Sequence, residues 1–144
     1  MNNTQIRPMD IADYNQVITI WRMSEGIGLS AADSQDQIEQ YLLRNPGFSL
    51  VALLDGAIVG AVLCGHDGRR GYIHHLAVSE GHRRKGIGRG LVEHCLDRLS
   101  QAKIHKCHLF IFTNNVEAIS FWNQLGFARR AELDMMSIII EQTV

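Results

Sequence analysis

The chain has 144 residues and a formal net charge of -1 at pH 7, with 46% hydrophobic and 20% charged side chains. These values are typical of one compact soluble domain and predict a single domain over residues 1–144. A charge so near zero argues against a nucleic-acid partner, because nucleic-acid binding usually shows as a basic excess over the domain. No apolar run is long enough to cross a bilayer and no signal peptide is recognisable, so we expect a cytoplasmic protein without membrane partners.

The cysteines and histidines do not form a metal-binding pattern. Cys64, Cys95 and Cys107 are far apart, and without a CxxC pair they are predicted to be reduced thiols packed as small apolar groups. His74 and His75 are adjacent, and adjacent strand residues point to opposite faces, which argues against one shared metal ion. We therefore expect no metal.

The hydrophobic spacing predicts the element order β-α-α-β-β-β-α-β-α-β-β. A first strand at IRP precedes a helix that Asp10 could cap, and a second short helix contains Ile38. Two apolar runs joined by Asp55-Gly56 predict a β-hairpin. The remaining segments are a strand YIHHLAV, a helix GIGRGLVEHCLDRLS, a buried strand KCHLFIFT, a helix NNVEAISFWNQLG, and two closing strands, FARRAELD and MMSIII. The central β-α-β unit should be parallel and right-handed, and the hairpins make the sheet mixed, which is an α/β fold.

The stretch GHRRKGIGRG lies between a predicted strand and a predicted helix. The first turn of a helix has unpaired N–H groups and the positive end of the dipole, so the backbone alone can stabilise an anion there. Gly86 and Gly88 leave room for a phosphate, while a P-loop and the dinucleotide fingerprint are both missing. Four basic side chains add positive charge: Arg83, Arg84, Lys85 and Arg89. The pattern favours a di- or triphosphate ligand, and a solvated basic turn at a helix start is the alternative.

Together with its flanks, this stretch resembles the central motif of the GCN5-related N-acetyltransferases (GNAT). In that family a strand ending in an apolar-Ala-Val run leads to R/Q-x-x-G-x-G/A at the start of a helix, which residues 83–88 match at every position. A second family motif is an Asn-x-x-Ala helix that ends in an aromatic-x-x-Leu-Gly-Phe run. It matches Asn115 to Ala118 and the run FWNQLGF. The resemblance covers nearly the whole chain and is weakest over residues 24–47.

The resemblance implies a GNAT-like mixed sheet of six to seven strands, with strands 4 and 5 splayed apart and helices on both faces. It implies acetyl-CoA as donor and a primary amine, on a small molecule or a protein, as acceptor in a ternary complex. The pyrophosphate would lie on the backbone of residues 84–89, and the pantetheine arm would lie along strand 72–78. A homodimer is a further possibility. The implied donor contacts are Leu76, Ala77, Val78, Arg83, Arg84, Lys85, Gly86, Ile87, Gly88, Arg89, Asn115, Ala118 and Trp122.

The chain departs from the family pattern at its proton-transfer groups. Trp122 stands where many members have an acidic tyrosine, and an indole cannot release a proton near neutral pH. Tyr72 stands where some members have a strand-4 glutamate. A histidine suits proton removal from an amine, and Tyr72 or a water could replace the missing tyrosine as the acid. His74, His75 and Tyr72 are therefore the candidate catalytic residues, with the Leu76 N–H as oxyanion donor. Because a strand alternates, one of the two histidines should face the cleft; packing within the fold is the alternative for each.

The acceptor side has fewer sequence signals. Trp21 and Glu25 are candidate substrate-binding residues, with the loop to Asp33 as a further wall. Two other functions stay open. One is a non-catalytic acyl-CoA sensor, because the absence of the family's tyrosine fits a protein that binds the donor without catalysis. The other is a nucleic-acid binder that uses the basic loop.

Overall fold

The computed structural model describes residues 3–141, and the chain divides into two compact units, one up to Phe112 and one from Thr113. The first unit contains the sheet strands β1 (Gln5–Pro8), β2 (Leu50–Leu54), β3 (Ala57–His66), β4 (Gly71–Val78) and β5 (Cys107–Leu109). Its helices are α1 (Tyr14–Arg22), α2 (Gln35–Arg44) and α3 (Ile87–Gln101), with short 3-10 turns at Ile11–Asp13, Ala31–Asp33 and Glu80–His82. The second unit contains α4 (Val116–Gln124).

The sheet follows the chain order, β1-β2-β3-β4-β5. Neighbours up to β4 are antiparallel, whereas β4 and β5 are parallel and joined through α3, as predicted for the central β-α-β unit. Asp55 and Gly56 form the predicted hairpin turn, with φ angles of 51° and 81°. Positive φ at both central residues is the geometry that matches the twist of the flanking strands. The predicted α/β fold class with a mixed sheet is therefore confirmed.

Helices cover both faces of the sheet in the first unit. Val51 and Leu63 pack in one cluster with Val17 and Trp21 of α1. On the opposite face, Gly60 of β3 lies so close to α3 that a β carbon there would be 3.2 Å from Leu91. The buried stripe of α3 is Ile87, Leu91, Val92, Cys95 and Leu99. The free thiols of Cys64 and Cys95 are buried in this core, as predicted, and Cys107 is half-buried. Apolar burial on both faces is the main stabilising contribution of such a layered fold.

Strands β4 and β5 separate soon after they begin to pair, as the family resemblance implies. Their register ends at Ile73 and Leu109, and among residues 3–141 no strand pairs with residues 74–78 on that side. On the other side, Ala61 pairs with Ala77 but Leu63 pairs with His74. Two β4 residues, 75 and 76, therefore oppose the single β3 residue 62, which defines a β-bulge. His75 at this bulge has a left-handed φ of 55°.

Fewer strands form than the sequence predicts: the described residues contain five instead of six or seven. The two predicted closing strands, 127–134 and 135–140, are not strands, and the buried strand predicted at KCHLFIFT extends only over Cys107–Leu109. Apolar side chains of the second closing segment are 69–94% exposed, and Phe110 is 60% exposed. A strand requires a hydrogen-bonded partner and an apolar face to bury, and high β propensity supplies neither. Within the described residues, no helix is long and apolar enough to cross a membrane.

Candidate active site

The glycine-rich loop presents an open helix N-terminus. Gly86 is the N-cap of α3, with a φ of 81°, and no side chain accepts a hydrogen bond at this cap. Arg84 also has a left-handed φ, 64°, so the loop turns sharply before the helix begins. The four basic side chains of the loop are exposed, and a β carbon at Gly86 would meet no atom within 4 Å. Unpaired N–H groups, positive charge and free space together suit an anionic group.

The basic side chains of the loop have partners at its edges. Arg83 Nε donates to the Val78 carbonyl at 2.9 Å, and Arg89 Nε lies 3.8 Å from Glu93 Oε2. Ile87 is buried, whereas Gly88 is half-buried. The cations therefore surround the helix start while Ile87 anchors it in the core.

The second half of β4 has an open backbone edge. Ser79 N donates to Val59 O at 2.8 Å, so by antiparallel alternation the polar backbone groups of Val78 are directed away from β3. Leu76 lies in the same stretch that no described strand pairs with, while the Ala77 side chain is buried in the core. The slot beside β4 can therefore accept hydrogen bonds from an extended ligand, although Arg83 occupies the Val78 carbonyl in this structure.

A cavity of about 670 Å³ lies beside this part of β4. Both His74 and His75 line it, and their ring centroids are 6.5 Å apart. The expectation that adjacent histidines lie on opposite faces was wrong, because the bulge interrupts strand alternation at this point. Other residues of the wall are Gly28, Asp33, Tyr41, Arg44, His66 and Tyr72. Among the residues that the structure describes, no group of three or more His, Cys, Asp or Glu side chains has the geometry of a metal site.

His75 is held between a carboxylate and an indole. Its Nε2 lies 2.9 Å from Asp33 Oδ1, and its ring meets Trp21 edge-on at a centroid distance of 5.1 Å. Asp33 is itself fixed, because its Oδ2 accepts from Ser30 N at 3.0 Å and its carbonyl accepts from the Tyr14 hydroxyl at 2.6 Å. The Asp33 and His75 side chains are 8% and 19% exposed. The arrangement is that of an imidazole oriented by a carboxylate, which is common where histidine moves protons.

His74 lies in an aromatic environment. Its ring centroid is 6.2–6.4 Å from those of Tyr41, Tyr72 and Phe110. Burial lowers the pKa of His74, the nearby His75 lowers it further, and the Asp33 carboxylate acts in the opposite direction. Burial also raises the pKa of the Tyr41 hydroxyl. His74 and Tyr41 are therefore neutral at pH 7.

The two candidate acceptor residues occupy different positions. Trp21 is fully buried behind His75, and among the described residues its Nε1 is the one buried side-chain N or O atom without a hydrogen-bond partner. Glu25 is exposed and is not part of the cavity wall. Trp21 thus supports the site from behind.

Three candidate donor contacts belong to the second unit. Asn115 caps α4, with Oδ1 accepting from Ala118 N at 3.2 Å. Trp122 contacts Phe121 and Phe127 edge-on, at centroid distances of 5.1 and 5.0 Å. Within this unit, Trp122 is therefore part of an aromatic cluster.

Sequence reasoning missed the specific contact of Asp33 with His75. The local signal was present, because Ser30-x-x-Asp33 has the spacing of a capping box, and both of its hydrogen bonds form. That spacing predicts a fixed Asp33 side chain, but not its partner 42 residues later in the chain. Only the path of α1 and the bulge in β4 bring the two residues together.

A mixed sheet that opens between two parallel strands, followed by an uncapped glycine-rich helix start, is the architecture of an acyltransferase. The chain belongs to the acetyltransferase (GNAT) family, whose sequence model matches residues 14–127. The enzyme class predicted from the sequence, an acetyl-CoA-dependent N-acetyltransferase, is thereby confirmed.

Individual relatives agree with this membership. An acetyltransferase of Pectobacterium atrosepticum is 31% identical over 123 residues, which are 85% of this chain and 86% of that protein. Ard1 from Thermoplasma volcanium is 26% identical with a TM-score of 0.80, over 89% of this chain and 84% of that one. The PaiA N-acetyltransferase from Thermoplasma acidophilum, solved in complex with coenzyme A, shares the fold at 20% identity and a TM-score of 0.79, over 88% and 90% of the two chains.

Proposed function

We propose that this enzyme transfers the acetyl group of acetyl-CoA to a primary amine that binds in the cavity beside His74 and His75. One observation carries the proposal: the bulge in β4 turns both imidazoles toward one cavity, next to the point where β4 leaves β5. A donor along the open edge of β4 and an acceptor in the cavity would meet there. Direct attack in a ternary complex needs this kind of proximity.

The donor's pyrophosphate is proposed to bind at the start of α3. Backbone N–H groups of residues 84–89 would hold it, assisted by the charges of Arg83, Arg84, Lys85 and Arg89. The coenzyme A complex of the Thermoplasma acidophilum relative supports a ligand of this type. No metal is part of the proposal.

The pantetheine arm is proposed to pair with the backbone of Leu76 and Val78. Arg83 would have to release the Val78 carbonyl if that carbonyl accepts from the arm. The Leu76 N–H is the proposed donor to the oxyanion that forms on the acetyl carbonyl. Asn115, Ala118 and Trp122 are proposed as further contacts of the arm, on the family resemblance of their motif.

Proton transfer completes the reaction. A lysine-like amine has a pKa of about 10.4 and is mostly protonated at pH 7, so it must lose a proton before its nitrogen attacks the thioester carbon. A neutral imidazole at His74 or His75 is the proposed acceptor of this proton, directly or through one water. As the C–S bond breaks, the thiolate either leaves unaided or takes a proton from Tyr72 or from a water.

The identity of the acceptor is open between small amines and protein amines. The large cavity accommodates either a small amine or the end of a peptide. A cytoplasmic location, the absence of nucleic-acid and membrane partners, and a homodimer stay predictions.

An amine panel tests the proposal. The purified protein is incubated with acetyl-CoA and, one at a time, polyamines, aminoglycosides, aromatic monoamines and short peptides with free N-termini, and free CoA is measured. Steady release of CoA with at least one amine is expected, together with a rise in melting temperature on addition of acetyl-CoA. A rise in melting temperature with no turnover for any amine would favour the acyl-CoA sensor, and neither response would reject the proposal.

A further inference from the structure

We infer that Asp33 is a positioning residue, whose carboxylate holds Nε2–H of His75 so that Nδ1 is the atom that takes the proton from the amine. The inference rests on the proposed function and deepens it, because it selects one of the two histidines and assigns a role to a residue outside the family motifs.

The Asp33 carboxylate is oriented by its own turn, independently of the His75 imidazole. Asp33 closes the 3-10 turn Ala31–Asp33, where Oδ2 accepts from Ser30 N and leaves Oδ1 for His75. The Tyr14 hydroxyl ties the Asp33 carbonyl to the start of α1. Because the carboxylate cannot swing away without losing the turn, its second oxygen defines one direction for the imidazole.

The charge of the carboxylate determines the tautomer. An ionised carboxylate only accepts hydrogen bonds, so the nitrogen that faces Asp33 at 2.9 Å must carry the proton. In a neutral imidazole the other nitrogen, Nδ1, then has a free lone pair. Within residues 3–141 Nδ1 has no hydrogen-bond partner, and it does not count among the buried atoms without one, so it is an accessible atom of a residue that lines the cavity.

The backbone at His75 is held in an unfavourable conformation. A left-handed φ costs an ordinary residue about 1 kcal/mol, and such strain occurs where surrounding contacts over-determine a position. Trp21 limits the ring on one side and Asp33 fixes its edge. Both contacts direct the ring to one orientation beside the open edge of β4.

The charged and titratable groups around His75 are few. Asp33 contacts it from the 3-10 turn, and His74, whose pKa is lowered by burial, precedes it on β4. The others of the cavity wall are Tyr41 and Arg44 on α2, His66 and Asp67 at the end of β3, and Tyr72 on β4. Asp33 is the one carboxylate of this set that hydrogen-bonds the imidazole, so its charge stabilises the imidazolium that forms during the reaction.

Asp13 offers a matched control within the same chain. It occupies the same position of the turn Ile11–Asp13, where Oδ2 accepts from Asp10 N at 2.9 Å and both carboxylate oxygens pair with Arg7. Asp13→Asn therefore makes the same chemical change in the same kind of turn, but against an arginine instead of His75.

The test compares Asp33→Asn with Asp13→Asn, using the amine of the panel that the wild-type enzyme acetylates fastest. We expect Asp33→Asn to lower kcat by about tenfold to a hundredfold, with a smaller change in KM for the amine. The loss should fall on kcat because the amide of Asn can either accept from or donate to Nε2 and so no longer selects one tautomer of His75. Asp13→Asn should keep the wild-type kcat, although it loses stability.

Nitrogen-15 NMR of the imidazole provides a readout that does not depend on the variants folding. In the wild-type protein the neutral His75 should carry its proton on Nε2, and a proton on Nδ1 would overturn the inference. Equal kinetic losses in both variants, or a wild-type kcat in Asp33→Asn, would also overturn it while leaving the proposed function standing. No turnover of any amine by the wild type rejects the proposed function, and the inference with it.

Discussion

The hydroxyl of Ser49 replaces a missing strand partner for Cys64. Its Oγ accepts from the Cys64 N–H at 3.0 Å and donates to the Cys64 carbonyl at 3.3 Å. Strand β2 begins only at Leu50, so β3 would otherwise have unpaired backbone groups at this point. Ser49 and Cys64 are 2% and 0% exposed, and water cannot substitute for the hydroxyl.

Ser49→Ala should therefore destabilise the protein by about 1–3 kcal/mol, the cost of leaving buried polar groups unpaired. Urea denaturation at equilibrium measures this free energy. Ser24→Ala is the control, because Ser24 Oγ bonds only the Ile20 carbonyl one turn earlier in α1. It should change stability by less than about 0.5 kcal/mol, and equal losses in the two variants would contradict the bridging role of Ser49.

Gly65→Ala should disturb the wall of the cavity. A β carbon at position 65 would lie 2.5 Å from Asn45 Cγ and 2.7 Å from Tyr41 Oη, so α2 would have to move. Overpacking of this kind costs about 1–3 kcal/mol. Gly81→Ala is the matched change, since no atom lies within 4 Å of its β carbon. Thermal unfolding should show a lower melting temperature for Gly65→Ala only; a loss as large in Gly81→Ala would count against the packing argument.

The half-buried imidazole of His74 should make the free energy of unfolding depend on pH. Burial, with His75, lowers its pKa in the folded state below the ordinary value of 6.5, so the unfolded chain binds a proton first as pH falls. The stabilising contribution is complete above the unfolded pKa and is lost as pH falls toward the folded value. The free energy of unfolding should thus decline from about pH 7 to 5.

The variant His74→Phe keeps an aromatic ring in contact with Tyr72 and Phe110 and removes the titration. Its unfolding free energy should change less over the same pH interval than that of the wild type. His105→Phe, at an exposed position, should leave the wild-type dependence intact. Identical pH dependence in the wild type and His74→Phe would show that another group is responsible.

Gly86→Ala should weaken coenzyme A binding by about tenfold, because a left-handed φ costs alanine about 1–2 kcal/mol and the loop must relax. Gly56→Ala is the control, because it places alanine at the same φ of 81° in a turn far from the loop in sequence. No atom lies within 4 Å of its β carbon. Calorimetric titration with coenzyme A should give the wild-type affinity for Gly56→Ala. Comparable affinity losses in both variants would argue against a phosphate site at α3.

Local patterns predicted the elements that local physics determines. The helix predicted at GIGRGLVEHCLDRLS matches α3 to within one residue, and the turn at Asp55-Gly56 forms as expected. In these segments the spacing of apolar residues, the residues at the helix start and the residues of the turn all indicate the same local structure. The closing strand predicted at MMSIII did not form because an apolar, isoleucine-rich run carries no information about its pairing partner.

The site was predicted in part for a similar reason. The loop at Gly86 has its own sequence pattern, so its geometry could be anticipated from the residues alone. The bulge at His75 depends on register against β3, and no local signal marks it. Asp33 and His75 meet only through the tertiary fold, so neither the contact nor the shared orientation of the two histidines could be inferred from strand alternation.

The bulge also exchanges the faces of the sheet toward which odd-numbered and even-numbered residues of β4 point. Before it, odd-numbered Gly71 faces Leu99 of α3, and even-numbered His74 faces the cavity. After it, odd-numbered Ala77 belongs to the cluster with α1, on the side opposite α3. Deleting one residue at position 75 or 76 would restore uniform alternation and leave both halves on their present faces, because Leu63 already pairs with His74 and Ala61 with Ala77. The extra residue therefore shifts by one the numbering of the residues that face each side, and relatives should be aligned here with a one-residue gap in mind.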